Sequence, residues 1–206
     1  MKFYTIKTPS IIQRVFSSYR WRFSSVPKEI YLTFDDGPTP EITTFVLNEL
    51  KKHQAKATFF CIGKNVKKHP TIYERIKKEG HSVGNHTYNH LNGFRTNNIN
   101  YIENIQQAEK LIESNLFRPP YGRLKSSQAR SIIGKGYKII MWDILSGDFD
   151  TTITPEKCLK NVLVKTTNGS IVVMHDSEKA KDKIFYTLPK ILSYYQEKGY
   201  LFKAIS

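Results

Sequence analysis

Ile30-Tyr31-Leu32-Thr33-Phe34-Asp35-Asp36-Gly37-Pro38 is a short apolar, β-favouring run that stops at two acids and a turn signal. Thr39-Pro40-Glu41 then opens a helical segment through about residue 52, with Phe45, Val46, Leu47 and Leu50 available for its buried face. The alternation repeats along the chain. Residues 57–61 read as a strand, 63–68 and 70–78 as helices, and 81–84 as a strand that delivers His86 and His90. Residues 98–114 read as a long amphipathic helix, with Ile102, Ile105, Ala108 and Leu111-Ile112 on one side. A short helix at 128–134, a strand at 137–141 and a helix at 155–165, with Pro155 in its first turn, come next. Residues 170–174 form an apolar strand ending at His175-Asp176, before a helix at 184–198 and a final strand at 200–204. Strands alternating with helices predict one α/β domain whose mostly parallel sheet is covered by helices. The nearly all-apolar strands suit burial on both faces. At least five of them run straight into polar or turn residues, and sites in such sheets gather at the C-terminal strand ends.

The chain has 206 residues, enough for a substantial core, and 39% are hydrophobic, with twelve Phe and twelve Tyr, which excludes a disordered tail. Residues 1–27 have mixed character and are expected to pack on a domain formed by residues 28–206. The net charge of +14 favours anionic partners such as nucleic acid, acidic glycans or membrane surfaces. Lys51-Lys52, Lys67-Lys68 and Lys77-Lys78, however, each sit near an expected helix end, where they complement the helix dipole. No aromatic-basic reader motif is present, so no nucleic-acid partner is expected. Cys61 and Cys158 are far apart and read as two reduced, buried thiols. Ile11 and Ile12 are flanked at once by Gln13 and Arg14, which predicts neither a signal peptide nor a membrane span. The default expectation is a cytoplasmic monomer.

His86 and His90, four residues apart, belong on one face of a helical turn or in a tight loop. A zincin places its catalytic Glu between its two histidines; here the intervening residues are Thr87, Tyr88 and Asn89. A third ligand and a base must therefore come from elsewhere, and Asp35-Asp36 can supply both. Neighbouring residues leaving a strand point in different directions, so one carboxylate can bind a metal while the other takes a proton from the attacking water. Strand geometry leaves open which does which. Two imidazoles and a carboxylate with an open position favour zinc, with cobalt, nickel or manganese as alternatives. His175 can protonate a leaving amine. In Arg118-Pro119-Pro120-Tyr121-Gly122, Arg118 can fix a catalytic aspartate and a backbone N–H can stabilise an oxyanion. Asp148 can pair with Arg118 or orient His175.

Five segments, in order, resemble the motifs of the polysaccharide deacetylase family, whose shared unit is the NodB homology domain. They are Thr33-Phe34-Asp35-Asp36-Gly37-Pro38, His86-Thr87-Tyr88-Asn89-His90, Arg118-Pro119-Pro120-Tyr121-Gly122, the region 142–149, and Val173-Met174-His175-Asp176. The resemblance runs from about Glu29 to Phe202. It implies a distorted (β/α) barrel of about seven parallel strands and removal of acetyl groups from N-acetylated or O-acetylated sugars in a polysaccharide. It also implies Asp35 as general base, Asp36, His86 and His90 as ligands of one divalent metal, and Arg118 holding Asp35. The Tyr121 main-chain N–H would help form the oxyanion hole, and His175, tuned by Asp148, would be the general acid. Pro119, Tyr121, Trp142, Phe149 and Val173 would line the substrate pocket. The chain departs from the pattern at Phe149, where the family has Trp, at Leu145, which replaces an acid, and at Val173, which replaces Leu. These changes motivate an alternative: a catalytically weak or inactive glycan-binding module of the same fold.

Overall fold

A computed structural model describes residues 4–23 and 27–206. In chain order the elements are α1 (Ser10–Val15), β1 (Glu29–Asp35), α2 (Pro40–Lys52), β2 (Thr58–Cys61), α3 (Gly63–Lys68), α4 (Pro70–Lys78), β3 (Ser82–Asn85) and α5 (Asn98–Glu109). Then come β4 (Leu116–Phe117), α6 (Ser126–Gly134), β5 (Lys138–Ile139), β6 (Ile144–Leu145), α7 (Pro155–Lys165), β7 (Ile171–His175), α8 (Lys181–Glu197) and β8 (Leu201–Phe202).

Seven strands run parallel in the order β5-β4-β3-β2-β1-β7-β6 and curl into a distorted, incomplete β/α barrel; β8 adds to the start of β1. Pleat parity decides what each strand side faces. Ile30, Leu32 and Phe34 of β1 join Val172 and Met174 of β7 in the layer beneath the helices, with Ile42, Val46, Leu188 and Leu192. The opposite parity faces the barrel interior, where Phe60, Leu116, Ile140 and Ile171 cluster with Ile205. Thr33 and Asp35 share that interior parity, as do Val173 and His175. The β1–β7 register pairs Asp35 with His175, so two polar groups finish adjacent strands on the same side.

The helices start and stop for local reasons. Pro40 and Pro155 occupy first turns, and Thr154 Oγ1 accepts from Lys157 N at 3.2 Å. The lysine pairs 51-52, 67-68 and 77-78 lie in the last turns of α2, α3 and α4. Both cysteines are free and buried. Three expected elements are markedly shorter than their sequence pattern. The final strand expected over 200–204 narrows to Leu201–Phe202, where it pairs with β1. The helix expected over 98–114 stops at Glu109, because Ser114 Oγ donates to Val83 O (2.6 Å) and accepts from Leu116 N, which commits the chain to β4. The strand expected over 137–141 narrows to Lys138–Ile139, since the Met141 N–H goes to Arg20 O instead of to a strand.

The barrel is open between β5 and β6. The N-terminal arm lies against both of those edges. Arg20 bridges to Ile140, Lys7 to Ile144, and Arg22 to Ser170. Of the N-terminal segment expected over 1–27, residues 1–3 and 24–26 lie outside the described residues.

Candidate active site

Asp36, His86 and His90 come together at the C-terminal ends of β1 and β3, with their candidate ligand atoms within 4.8 Å of one another. His86 Nδ1 donates to Arg118 O at 2.7 Å; a carbonyl only accepts, so the ring proton sits there and Nε2 presents a lone pair. Burial lowers the His86 pKa to about 4 and keeps the ring neutral. Its Nε2 and that of His90 approach Asp36 Oδ1 to 3.6 and 3.1 Å. Asp36 Oδ1 is nonetheless a buried oxygen that accepts no well-formed hydrogen bond. Burial opposes charge on Asp36, but the His90 contact and then the His175 charge hold its carboxyl well below the usual carboxylate range. A buried carboxylate oxygen facing an imidazole lone pair is repulsive unless a cation lies between them. The donor set therefore fits one divalent metal.

Backbone strain concentrates here. Asp36, Thr87, His90 and Tyr121 all have positive φ, at 81°, 61°, 57° and 60°. The Asp36 turn is clamped by Asp176, which accepts from Gly37 N at 2.9 Å and from Thr43 Oγ1 at 2.5 Å. A Cβ on Gly37 would meet Asp176 Oδ2 at 2.0 Å, so the clamp requires glycine. The histidine loop is held from α5: Asn104 Oδ1 accepts from both Tyr88 N and Asn89 N at 2.9 Å.

The turn at Asp36 separates the two acids that strand geometry leaves undivided. Asp35, at the end of β1, points at Arg118, whose Nη1 donates to Asp35 Oδ1 and to Thr33 Oγ1, both at 2.7 Å. Arg118 is fully buried. Its Nε and Nη2 donate to Ile140 O (3.1 Å) and Met141 O (3.0 Å), and its guanidinium lies 4.0 Å over the Phe60 ring. Burial lowers the Arg118 pKa, and Asp35 opposes that.

Asp148 orients His175 and does not reach Arg118. Its Oδ1 lies 2.7 Å from His175 Nδ1, and its Oδ2 accepts from His175 N at 2.6 Å. Burial disfavours a charged His175, but Asp148, then Asp36 and Asp35, raise its pKa to about 10.

The remaining expected residues line the rim and wall. The exposed Tyr121 ring packs on His90 at 4.6 Å, Pro119 and Val173 are buried, and Trp142 flanks Arg118. Phe149 meets His175 edge-on at 5.3 Å, and Tyr4 of the arm packs on Phe149 at 5.2 Å. Leu145 and Val173 are register partners on β6 and β7. Two of the three departures are thus side by side, and the third touches the candidate acid. Thr33, Asn104 and Asp176 are supporting residues with weaker sequence signals. Thr33 shares parity with Asp35, Asp176 follows His175, and Asn104 is one polar residue in an apolar stripe. Phe94 is exposed, with the Arg123 guanidinium 5.6 Å from its ring.

Residues 24–140 match the family model described as polysaccharide deacetylase. Two curated peptidoglycan-N-acetylglucosamine deacetylases of Bacillus cereus are similar in sequence. One is 36% identical over 155 residues, covering 72% of this chain and 56% of the relative. The other is 33% identical over 192 residues, covering 90% of each. A solved peptidoglycan N-acetylglucosamine deacetylase in complex with 4-naphthalen-1-yl-N-oxidanyl-benzamide superposes with a TM-score of 0.85 at 31% identity, covering 94% of both chains.

Proposed function

This chain belongs to the polysaccharide deacetylase family, and from that premise we propose that it hydrolyses the acetamide of N-acetylglucosamine in a cell-wall polysaccharide, releasing acetate. The observation that carries the reading is the convergence of three ligand atoms beside Asp35 and His175. The net charge of +14 favours an acidic cell-wall polymer such as peptidoglycan, on which the two Bacillus cereus relatives act, over a neutral one such as chitin.

Asp36, His86 and His90 would hold the metal, with zinc favoured and cobalt, nickel or manganese as alternatives. When bound, it supplies Lewis-acid polarisation of the acetyl carbonyl and makes a water easier to deprotonate. Asp35, held by Arg118, takes the proton of the attacking water. The Tyr121 N–H stabilises the oxyanion. His175, with Nδ1 fixed by Asp148, gives the proton on Nε2 to the departing amine. Pro119, Trp142, Phe149 and Val173 shape the acetyl pocket.

The clustered departures at Leu145, Val173 and Phe149 favour, as a second reading, a glycan-binding module that keeps the fold without turnover. The retained base and acid weigh against it. Acetate release from peptidoglycan, chito-oligosaccharides and acetylated xylan, with each candidate metal, separates the two. Asp35→Asn and His175→Ala are each expected to lose at least about a hundredfold in rate with metal content unchanged. Turnover that survives in either variant removes the role assigned to that residue. Silence of the unmodified chain on every substrate and metal leaves the binding module standing.

A further inference from the structure

Helix α1 is built inside out. It buries none of its residues. Ile11, Ile12, Val15 and Phe16 are 65, 39, 68 and 42% exposed. At about 100° per residue these four occupy one arc of the helix surface. Gln13 takes the protein side, its Nε2 donating to Thr8 O at 3.0 Å. The arm is anchored on both flanks of this helix. Thr8 N donates to Asp143 O at 2.8 Å, and Trp21 Nε1 donates to Phe16 O at 2.9 Å. The apolar face is therefore presented, not left over from a frayed end. Beside it lies a cleft of about 330 Å³ lined by Gln13, Arg14, Tyr19, Arg20, Trp21 and Arg22. None of the three arginines enters an ion pair among the described residues. Residues 1–28 carry six Lys or Arg and no Asp or Glu.

We propose that the outer face of α1 and its arginine cleft form a docking surface for an anionic lipid bilayer. The four apolar side chains enter the boundary of the acyl layer, and Arg14, Arg20 and Arg22 take lipid phosphates. An apolar face bordered by Arg and aromatic side chains is the composition that lies in a membrane interface. A second copy of this chain is a poor occupant, because a two-fold contact would set the same basic residues against one another. Nucleic acid or a neutral glycan would leave the apolar face uncovered. The contact is a seat and not a span: among the described residues no helix is long and apolar enough to cross a membrane.

The test is co-sedimentation of the full chain with vesicles of phosphatidylcholine alone, and with phosphatidylglycerol as about a third of the lipid. Partitioning should favour the anionic vesicles by at least about tenfold and weaken with added salt. Ile11→Ser combined with Val15→Ser should cut it by about tenfold or more. Arg14→Gln combined with Arg22→Gln should cut it by about fivefold per charge. The Ser pair should leave the melting temperature and turnover of a soluble substrate unchanged, which separates lost docking from lost folding. Equal or absent partitioning to the two vesicle types, or indifference to both sets of substitutions, overturns the proposal. So does a concentration-dependent dimer that the Ser pair abolishes, since the occupant would then be a second copy.

Discussion

In the proposed mechanism His175 is the acid, and Asp148 governs when it is protonated. Burial works against a charged imidazole, and Asp148 is the largest influence that overcomes it, ahead of Asp36 and Asp35, bringing the pKa to about 10. The acid works in its protonated form, which is present below that pKa and lost above it. A divalent cation beside Asp36 adds positive charge and draws the value down again. In one metal-loaded state, Asp148→Asn is therefore expected to move the alkaline limb of kcat/KM to lower pH by at least about one unit, equivalent to about 1.4 kcal/mol of lost preference for the protonated ring. A pH–rate series on the variant reads this directly. A uniform drop in kcat with both limbs in place would make Asp148 a structural support and leave His175 untuned.

Two clamps between elements shape the metal site without touching a metal. Asn104 on α5 holds the loop between the histidines through two backbone N–H groups. Asn104→Leu should weaken metal binding by about ten- to a hundredfold, as losses in such outer supports do. Competition with a chromophoric chelator measures it, and an unchanged affinity would show that the loop needs no clamp. Asp176 ties the start of the loop after β7 to the turn after β1. Its burial pushes the carboxyl up to about 7, against the hydrogen bonds from Thr43 and Gly37. The folded value thus lies above the unfolded one of about 3.9, so the folded chain holds the extra proton and stability falls as pH rises from about 4 to about 7. Asp176→Asn keeps an acceptor for Gly37 and does not titrate. In the metal-free chain its melting temperature relative to the unmodified chain should rise between about pH 5 and pH 8, and a flat difference would refute the shift. These clamps mark where sequence reading stops. The limits of α3 and α4 are legible because Gly63, Pro70 and the lysine pairs punctuate them, and the candidate ligands are legible because the histidine pair and Asp35-Asp36 both follow strands, a combination that neither makes alone. The division of labour between Asp35 and Asp36 comes from the motif resemblance alone, since strand geometry leaves it open and it depends on a φ of 81° held by a partner about 140 residues away. Strand β6 is two residues long, too short for any periodicity, and exists through its pairing with β7.

At the scale of the whole molecule, the barrel's missing closure links the arm to the chemistry. The sheet ends at β5 and β6, and open edges need cover. Arg20 supplies it on the β5 side with backbone groups alone: its N–H donates to Ile139 O at 2.8 Å and its carbonyl accepts from Met141 N at 2.7 Å. The carbonyls of Ile140 and Met141 in the same stretch hold the Arg118 guanidinium, which holds Asp35. Trp21 locks the arm in place, 8% exposed in a cluster with Tyr101, Ile105, Phe117, Ile139 and Met141. Trp21→Ala removes a large side chain from that cluster at a cost of about 3–5 kcal/mol, which for a chain of this size is a fall of about 10 °C in melting temperature. Because the arm also sets the carbonyls that orient Arg118, the variant should lose kcat more than it raises KM when assayed well below its own melting point. The control is Leu201→Ala, more than half exposed on β8 and remote from this relay, which should leave both nearly unchanged. If Trp21→Ala melts early yet keeps its full kcat while folded, the arm closes the barrel without tuning the base. If kcat falls with Asp35 and Arg118 both intact in sequence, the base is positioned by a closure that the catalytic motifs do not contain.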